Sequence, residues 1–407
     1  MRTQVIRTAA FRGLVGAALL LTFGSAAQAQ VVASDRGAGF IVFPKILSDP
    51  LDALNRGQTI DTVVQLTNND PNNPRAVHCF YVNATGQCTA GLNAIGGIDC
   101  LQDSDCGVGG RCNEDIWTET NFTIILTPRQ PTGWVVSEAR DVNVVENDPN
   151  APGAGDGRIL AVPTDLFLGE LKCVEVFDDA DVIPVNRNDL KGEATTYTVT
   201  QEPEDPNDPN SADVTTAVDV RRYNGIGVQS VSENGLAQND RSLCLGGNGI
   251  GGNVCATAEY AACPEKLIVN HLFASADDEG FTFPNVTLVP CTELITEGDP
   301  TNLTIQIVLF NEFEQRFSLS TQLECLADIR LDDLSVLYSI GTQGTVAGQS
   351  VFRAVADSSI EDGGFGILGI AEQYTDAGST AYNVVYSGTH AGVADIVTYV
   401  LPDTGTD

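Results

Sequence analysis

The sequence predicts an all-β fold of antiparallel β-sandwich type, with long loops and little helix. Three observations carry this. The hydrophobic period is two, the runs between strands are turn-rich, and no long amphipathic helix is visible. Residues 302–309 show the period best, with Leu303, Ile305, Ile307 and Leu309 on one face and Thr304 and Gln306 on the other. In 214–220, Val214, Thr216, Val218 and Val220 alternate with Thr215, Ala217 and Asp219. In 193–200, Tyr197 and Val199 stand against Thr196, Thr198 and Thr200. Residues 59–67, 76–83, 121–127, 168–177, 265–272, 322–330 and 380–387 read as further strands. They are rich in the β-branched and aromatic side chains that fit a half-buried pleated surface. Weaker strand-like pieces lie at 350–355, 365–372 and 395–401. Between the runs lie Gly/Pro/Asn/Asp clusters such as 68–74, 146–157 and 202–213, which is turn chemistry. Residues 48–54 have room for one helical turn, capped by Ser48 or Asp49 with Pro50 in its first turn.

The N-terminus reads as an address. Arg2, Arg7 and Arg12 precede an apolar run from Leu14 to Phe23, and Ala27-Gln28-Ala29 supplies a small-residue cleavage site. Residues 1–29 are therefore expected to be a secretory signal peptide, and the run is too short for a mature membrane span. No later stretch is long and apolar enough for one. Residues 30–201 are expected to form an N-terminal β-sandwich domain with a Cys-rich insertion near 88–112. The acidic, Pro-rich stretch 202–213 is a linker or a loop, 214–335 a second β domain, and 336–407 a C-terminal β region that completes it or stands apart.

Charge bounds the partners. The chain has 54 acidic and 21 basic residues and a net charge of −33, and three of the basic residues lie in the leader. Such a surface repels phosphate backbones and anionic lipid, which excludes nucleic acid. It suits cations, calcium above all, or an extracellular or high-salt setting. Asp103, Asp105, Glu114 and Asp115 are calcium candidates, as are the acidic loops at 178–181 and 277–279, because calcium takes roughly six to eight oxygen ligands. None has the EF-hand spacing, and solvated turns explain them as well. No other cofactor is implied.

Eleven cysteines behind a leader point to an oxidising compartment, and the odd count leaves one over. Cys88, Cys100, Cys106 and Cys112 are expected to pair among themselves, in an order that spacing does not fix, with a zinc site as the alternative. Cys255 and Cys263 suggest a local disulfide, for which Cys244 could compete. Cys79, Cys173, Cys291 and Cys325 sit in or beside strands, where they could bridge sheets or serve as small buried hydrophobes.

Catalytic signatures are missing. His78, His271 and His390 are scattered. No Gly-x-Ser-x-Gly, His-Glu-x-x-His or phosphate-loop motif occurs. Two Gly-x-Gly-x-x-Gly matches, at Gly247 and Gly364, open no helix and read as turns. Glu312 and Glu314 would share a strand face as an acid pair, though a solvated face suffices. Leu401-Pro402-Asp403-Thr404-Gly405 matches a sortase pattern without the apolar span and basic tail that anchor needs. Asn83, Asn121, Asn285 and Asn302 each open an Asn-x-Ser/Thr triplet. Trp117 and Trp134 are the only tryptophans, sparse for a sugar platform.

Two resemblances add to this. The run Asp105 to Cys112 resembles the Asp-Cys-x-x-Gly-x-x-Cys insertions of exported bacterial proteins, which implies a disulfide-pinned loop and no activity. Val64-Gln65-Leu66-Thr67-Asn68-Asn69 with Ala76-Val77-His78-Cys79-Phe80-Tyr81-Val82 looks like the paired strands of bacterial immunoglobulin-like domains. Similar pieces recur at 126–131, 169–176 and 310–317. The chain is thus similar to uncharacterised exported bacterial immunoglobulin-like proteins, which implies a fold and no activity. The expected function is a structural, adhesive or binding protein of the periplasm or exterior, non-enzymatic, with an envelope or extracellular protein or a glycan as partner. The alternative is a secreted hydrolase or carbohydrate-active enzyme using Asp/Glu pairs, which a cleft with facing carboxylates and aromatic walls would favour.

Overall fold

The computed structural model describes residues 32–54, 56–90, 99–101, 103–113, 118–129, 131–141, 158–177, 183–203, 213–231, 242–246, 259–277, 280–291, 302–355, 366–388 and 395–398. These residues are 66% strand and 6% helix, in several antiparallel sheets. The leader, Glu114, Asp115, Trp117, Asp178, Asp179, Asp181, Asp278, Glu279, Cys255, His390, the glycine motif at 247–252 and the sortase-like pattern lie outside the described residues.

The first half supplies fifteen strands: β1 (Val32–Ala33), β2 (Phe40–Ser48), β3 (Gln58–Asn68), β4 (Arg75–Asn83), β5 (Gly86–Ala90), β6 (Asp99–Cys100), β7 (Arg111–Asn113), β8 (Thr118–Leu126), β9 (Pro131–Val135), β10 (Arg140–Asp141), β11 (Arg158–Ile159), β12 (Phe167–Val176), β13 (Leu190–Pro203), β14 (Asp213–Asn224) and β15 (Ile226–Val228). They form a six-stranded sheet in the order β1-β15-β2-β12-β4-β8 and a four-stranded sheet β14-β13-β3-β9, with a small β6-β5-β7 sheet beside them. The stretch 202–213 joins two paired neighbours: Glu202 lies opposite Val214 and Pro203 opposite Asp213. β14 and β15 therefore belong to the sheets of the first half.

The second half supplies β16 (Ser242–Leu245), β17 (Lys266–Leu272), β18 (Ser275–Asp277), β19 (Gly280–Pro290), β20 (Asn302–Asn311), β21 (Arg316–Glu324), β22 (Ala327–Arg330), β23 (Ala347–Val355), β24 (Ile367–Thr375), β25 (Gly378–Asn383), β26 (Val385–Ser387) and β27 (Asp395–Thr398). Two five-stranded sheets result, β21-β20-β23-β17-β26 and β18-β19-β24-β25 with β22 also on β19. Between them Leu267, Val286, Leu288, Ile305, Ile307 and Phe352 are fully buried in one core. Here the alternation of β20 becomes a buried apolar face over a wetter one.

The centre of the six-stranded sheet, β2, β12 and most of β4, is buried on both faces. Ile41, Phe43, Cys79, Tyr81, Leu171 and Cys173 face the four-stranded sheet across a core that includes Val64, Leu66 and Trp134. Their neighbours Phe40, Val42, Phe80, Val82 and Val174 turn the other way, onto Leu243, Tyr260, Val289 and Leu368 of the second half. All nine residues of β2 and all ten of β12 are buried. The chain passes closely at Gly169 of β12, where a Cβ would collide with the Val82 carbonyl oxygen.

Several local expectations change. Residues 49–54 form a turn, not a helix, although Asp49 does cap it by accepting from the Ala53 N–H at 2.6 Å. Glu312 and Glu314 occupy the hairpin turn between β20 and β21, where Asn311 accepts from the Phe313 and Gln315 N–H groups. They are thus no pair on a strand face. The valines of β14 do alternate, but Val218 and Val220 point to solvent while Arg221 and Tyr223 point inward. Gly366 and Gly369 lead into and lie in β24, a strand with no phosphate loop.

Candidate functional site: a buried ionic cluster between the two halves

The cluster begins with a bulge. Gly169 of β12 pairs with Ile46 and Leu171 pairs with Phe43, so Glu170 alone stands opposite Pro44 and Lys45. An extra residue breaks the ladder and re-aims side chains, and proline is tolerated where no ladder N–H is needed. The backbone groups of Lys45 freed this way are both met by one hydroxyl. Tyr223 accepts from the Lys45 N–H at 3.2 Å and donates to the Lys45 carbonyl at 2.6 Å.

The Lys45 side chain crosses into the second half. Its Nζ donates to Asp328 Oδ1 and Oδ2 at 2.9 and 2.8 Å and to Glu372 Oε2 at 2.6 Å. The side chains of Lys45 and Glu372 are 4% and 3% exposed, and that of Asp328 is 24% exposed. Asp328 comes from β22 and Glu372 from β24, the two strands that flank β19, where Asp328 lies opposite Thr287 and Glu372 opposite Asn285. Asn285 Nδ2 and Thr287 Oγ1 donate to Asp328 Oδ1 at 2.6 and 2.7 Å. Arg221 closes the cluster from β14. It lies 3.7 Å from Glu372 Oε1, donates to Thr198 at 2.9 Å and to the Tyr374 hydroxyl, and sits over the Tyr374 ring.

Two cations thus meet two carboxylates in a site buried except at Asp328. Burial alone would push the Lys45 ammonium down, yet Asp328 and Glu372 outweigh it and hold its pKa above the usual value. Burial pushes Asp328 up, and Lys45 with the donors Thr287 and Asn285 holds it below the usual carboxylate range. Tyr374 is raised by burial first and by Glu372 second. A second buried pair, Lys172 with Glu170 at 2.9 Å, shares the same face of β12.

A separate open groove of about 580 Å3 lies in the second half, lined by Asn270, Phe310, Glu312, Gln349, Gln373 and Tyr382 among others. Its polar groups are partly committed. Tyr382 donates to the Asn270 carbonyl at 2.6 Å and Gln349 to Asn270 Oδ1 at 2.8 Å. His271, at its floor, is bound to Ser350 at 2.9 Å, and burial lowers its pKa to about 4.

The calcium candidates that are described face donors. Asp103 Oδ1 accepts from the Cys112 N–H at 2.9 Å, and Asp105 accepts from the Leu101 N–H at 3.0 Å and from Arg56 at 2.8 Å. Hydrogens aimed at these oxygens suit a pinned turn better than a cation. Cys88, Cys100 and Cys106 lie close enough to hold a metal ion, but their sulfurs are spent in the disulfides Cys88–Cys106 and Cys100–Cys112.

Two further disulfides are present among the described residues. Cys79 and Cys173 sit directly opposite each other on β4 and β12, so they bridge neighbouring strands of one sheet and not two sheets. Cys263 pairs with Cys291, which corrects the expected Cys255–Cys263 bridge. The Cys263 side chain points inward, into the core that also holds Cys291 just past the end of β19, with Gly366 packed against both cysteines. Cys325 is buried. Cys244 lies in β16.

Other candidates prove structural. His78 is bound to Thr123 at 2.7 Å and set edge-on to Phe80. Trp134 is buried and donates to the Tyr81 hydroxyl at 2.6 Å. Asn83 and Asn285 are buried and hydrogen-bonded, which closes them to glycosylation in the folded chain. Phe283 stacks on Tyr374 at 4.7 Å and carries Arg330 at 4.0 Å, so neither ring offers an open platform for a sugar.

No protein-family model matches the chain, and no curated protein matches it. Among the described residues no helix is long and apolar enough to cross a membrane.

Proposed function

We propose that the chain is an exported scaffold of the periplasm or cell exterior, built on immunoglobulin-like β-sandwiches, that works by structure, adhesion or binding. The observation that carries this reading is the set of disulfides, Cys79–Cys173, Cys88–Cys106, Cys100–Cys112 and Cys263–Cys291. Such bonds persist in oxidising compartments and stabilise the fold by restricting the unfolded chain. The paired sheets of each half, sharing a core, support the sandwich reading. The carboxylates Asp328 and Glu372, which a hydrolase would need in a wet cleft, are neutralised by Lys45 and Arg221 inside the molecule. An envelope protein or glycan would find its place in the open groove at Gln349 and Tyr382.

Expression of the full chain in a bacterial host, with fractionation, tests this. The expected product is a chain beginning at Gln30, oxidised, in the periplasm or medium. Full-length, reduced chain retained in the cytoplasm would overturn the proposal.

A further inference from the structure

One sheet of the second half ends on a long, bare edge. In the order β21-β20-β23-β17-β26, β21 is the outer strand, and among the described residues it pairs with β20 alone. Its register with β20 runs from Arg316 to Glu324 without a bulge, and it holds no proline, lysine or glycine. Such residues, bulges or shortness normally keep an edge strand from pairing with another chain. The other edges of the large sheets are short, interrupted or engaged. β1 has two residues and β18 and β26 three each, β9 begins at Pro131, and β8 has β11 beside it. β14 and β25 engage each other, with the Ser379 N–H donating to Asp219 at 2.8 Å and Asn383 Nδ2 to the Asn224 carbonyl at 2.7 Å.

The backbone of β21 has its free groups in a regular row. The Asn311 N–H donates to the Gln315 carbonyl and closes the hairpin. Bonding alternates along an antiparallel ladder, so Phe317, Leu319, Thr321 and Leu323 bond to β20, while Ser318, Ser320 and Gln322 turn their N–H and C=O groups outward. The side chains of those three residues are exposed, and Phe317 and Leu319 are only half-buried at the margin of the core. Charge points to the occupant. On a chain of net charge −33, β20 carries no charged residue, and β21 carries only Arg316 and Glu324, at its two ends and of opposite sign. Turned end for end about Ser320, the strand complements itself. Phe317 meets Leu323, Leu319 meets Thr321, Ser318 meets Gln322, and the two charged positions meet each other. Inward residues stay with inward ones, as a shared face requires.

We propose that the chain forms a twofold dimer in which β21 pairs antiparallel with β21 of a second copy, centred on Ser320. The pairing joins the two five-stranded sheets edge to edge into one continuous sheet and covers the open flank of Phe317 and Leu319. The same patch serves both copies, which closes the assembly at two. Elsewhere the acidic surfaces repel, so the neutral strip is where two copies approach at least cost.

The test uses the purified full chain with its disulfides intact. Sedimentation across a dilution series should show a monomer–dimer equilibrium. Ser320→Lys and Ser320→Glu each set like charges against each other on the twofold axis and should weaken the dimer by about tenfold or more. Mixed in equal amounts, the two variants should regain the wild-type dimer. Val218→Lys, on the exposed side of β14, should leave it unchanged. A second measurement needs no variant. On dilution, amide exchange at Ser318, Ser320 and Gln322 should quicken, while Leu319 and Thr321, held by β20, stay protected. A wild type that is monomeric at every concentration, its edge left to another protein's strand, would overturn the proposal. So would a dimer that survives both substitutions, a mixture that stays monomeric, or exchange at Ser320 that ignores dilution.

Discussion

At the scale of single residues, burial decides what each charge does. Arg221 faces Glu372, Asp219 and Tyr374 from β14. Arg221→Met removes a cation and leaves a buried carboxylate short of a partner. It should lower the unfolding free energy by about 3 kcal/mol, read from urea midpoints. Two other groups should shape the pH profile in opposite directions. Burial and Asp189 push the Glu175 carboxyl up to about 7, against Arg75 and Arg187. Its proton is held more tightly in the folded chain, so its contribution is complete below the unfolded value and fades as pH rises through about 7. His271, lowered by burial to about 4, is protonated first in the unfolded chain, so stability falls as pH drops from about 6.5 toward 4. Melting temperatures of Glu175→Gln should therefore lose the decline between about pH 5 and 7, and those of His271→Asn the acid decline. An unchanged profile in either variant would refute that assignment. Little of this was legible in the sequence. Lys45 stands in an apolar run beside Pro44, a local oddity and the one available hint, whereas Asp328 and Glu372 lie far along the chain and look like any surface acid.

At the scale of elements, legibility tracked solvent. β20 alternates because one side of it is wetter, and it was readable; on β13 the buried positions within 193–200 are Ala194 and Thr196, while Tyr197 and Val199 are only half-buried. β2, Phe-Ile-Val-Phe-Pro-Lys-Ile-Leu-Ser, escaped notice because both of its faces are buried and no period of two survives. On β14 the period was right, but its sense was not. Valines face outward because Arg221 and Tyr223 are needed inside, and no hydropathy pattern anticipates that. The hairpin at 312–315 was hidden because its turn is made by one asparagine side chain, with no glycine or proline to mark it. Asn311→Ala should cost about 1–2 kcal/mol from the lost turn hydrogen bonds, measured by thermal melting. Gly169→Ala should cost about 2 kcal/mol, since β12 is clamped between β2 and β4 and has no room to yield.

For the whole molecule, cysteine arithmetic located the Cys-rich insertion and the oxidising chemistry but not all the partners. The bridge Cys263–Cys291 depends on which way one loop residue turns, which only the assembled core specifies. The Cys79–Cys173 bridge closes a separation of 94 residues. Replacing both cysteines with alanine should lower stability by about 4 kcal/mol, on the model in which a cross-link restricts the unfolded chain. Urea unfolding of the variant against the wild type, both without reductant so that the other bridges stay intact, checks it.

The central sheet behaves as a party wall. Phe40, Val42, Phe80 and Val174 on one side and Ile41, Phe43, Tyr81 and Leu171 on the other have tenants in both rooms. Demolishing either room strips the wall to the weather. A fragment ending near residue 231 should come out of cells as inclusion bodies, and so should its complement, while the two made together should recover solubility.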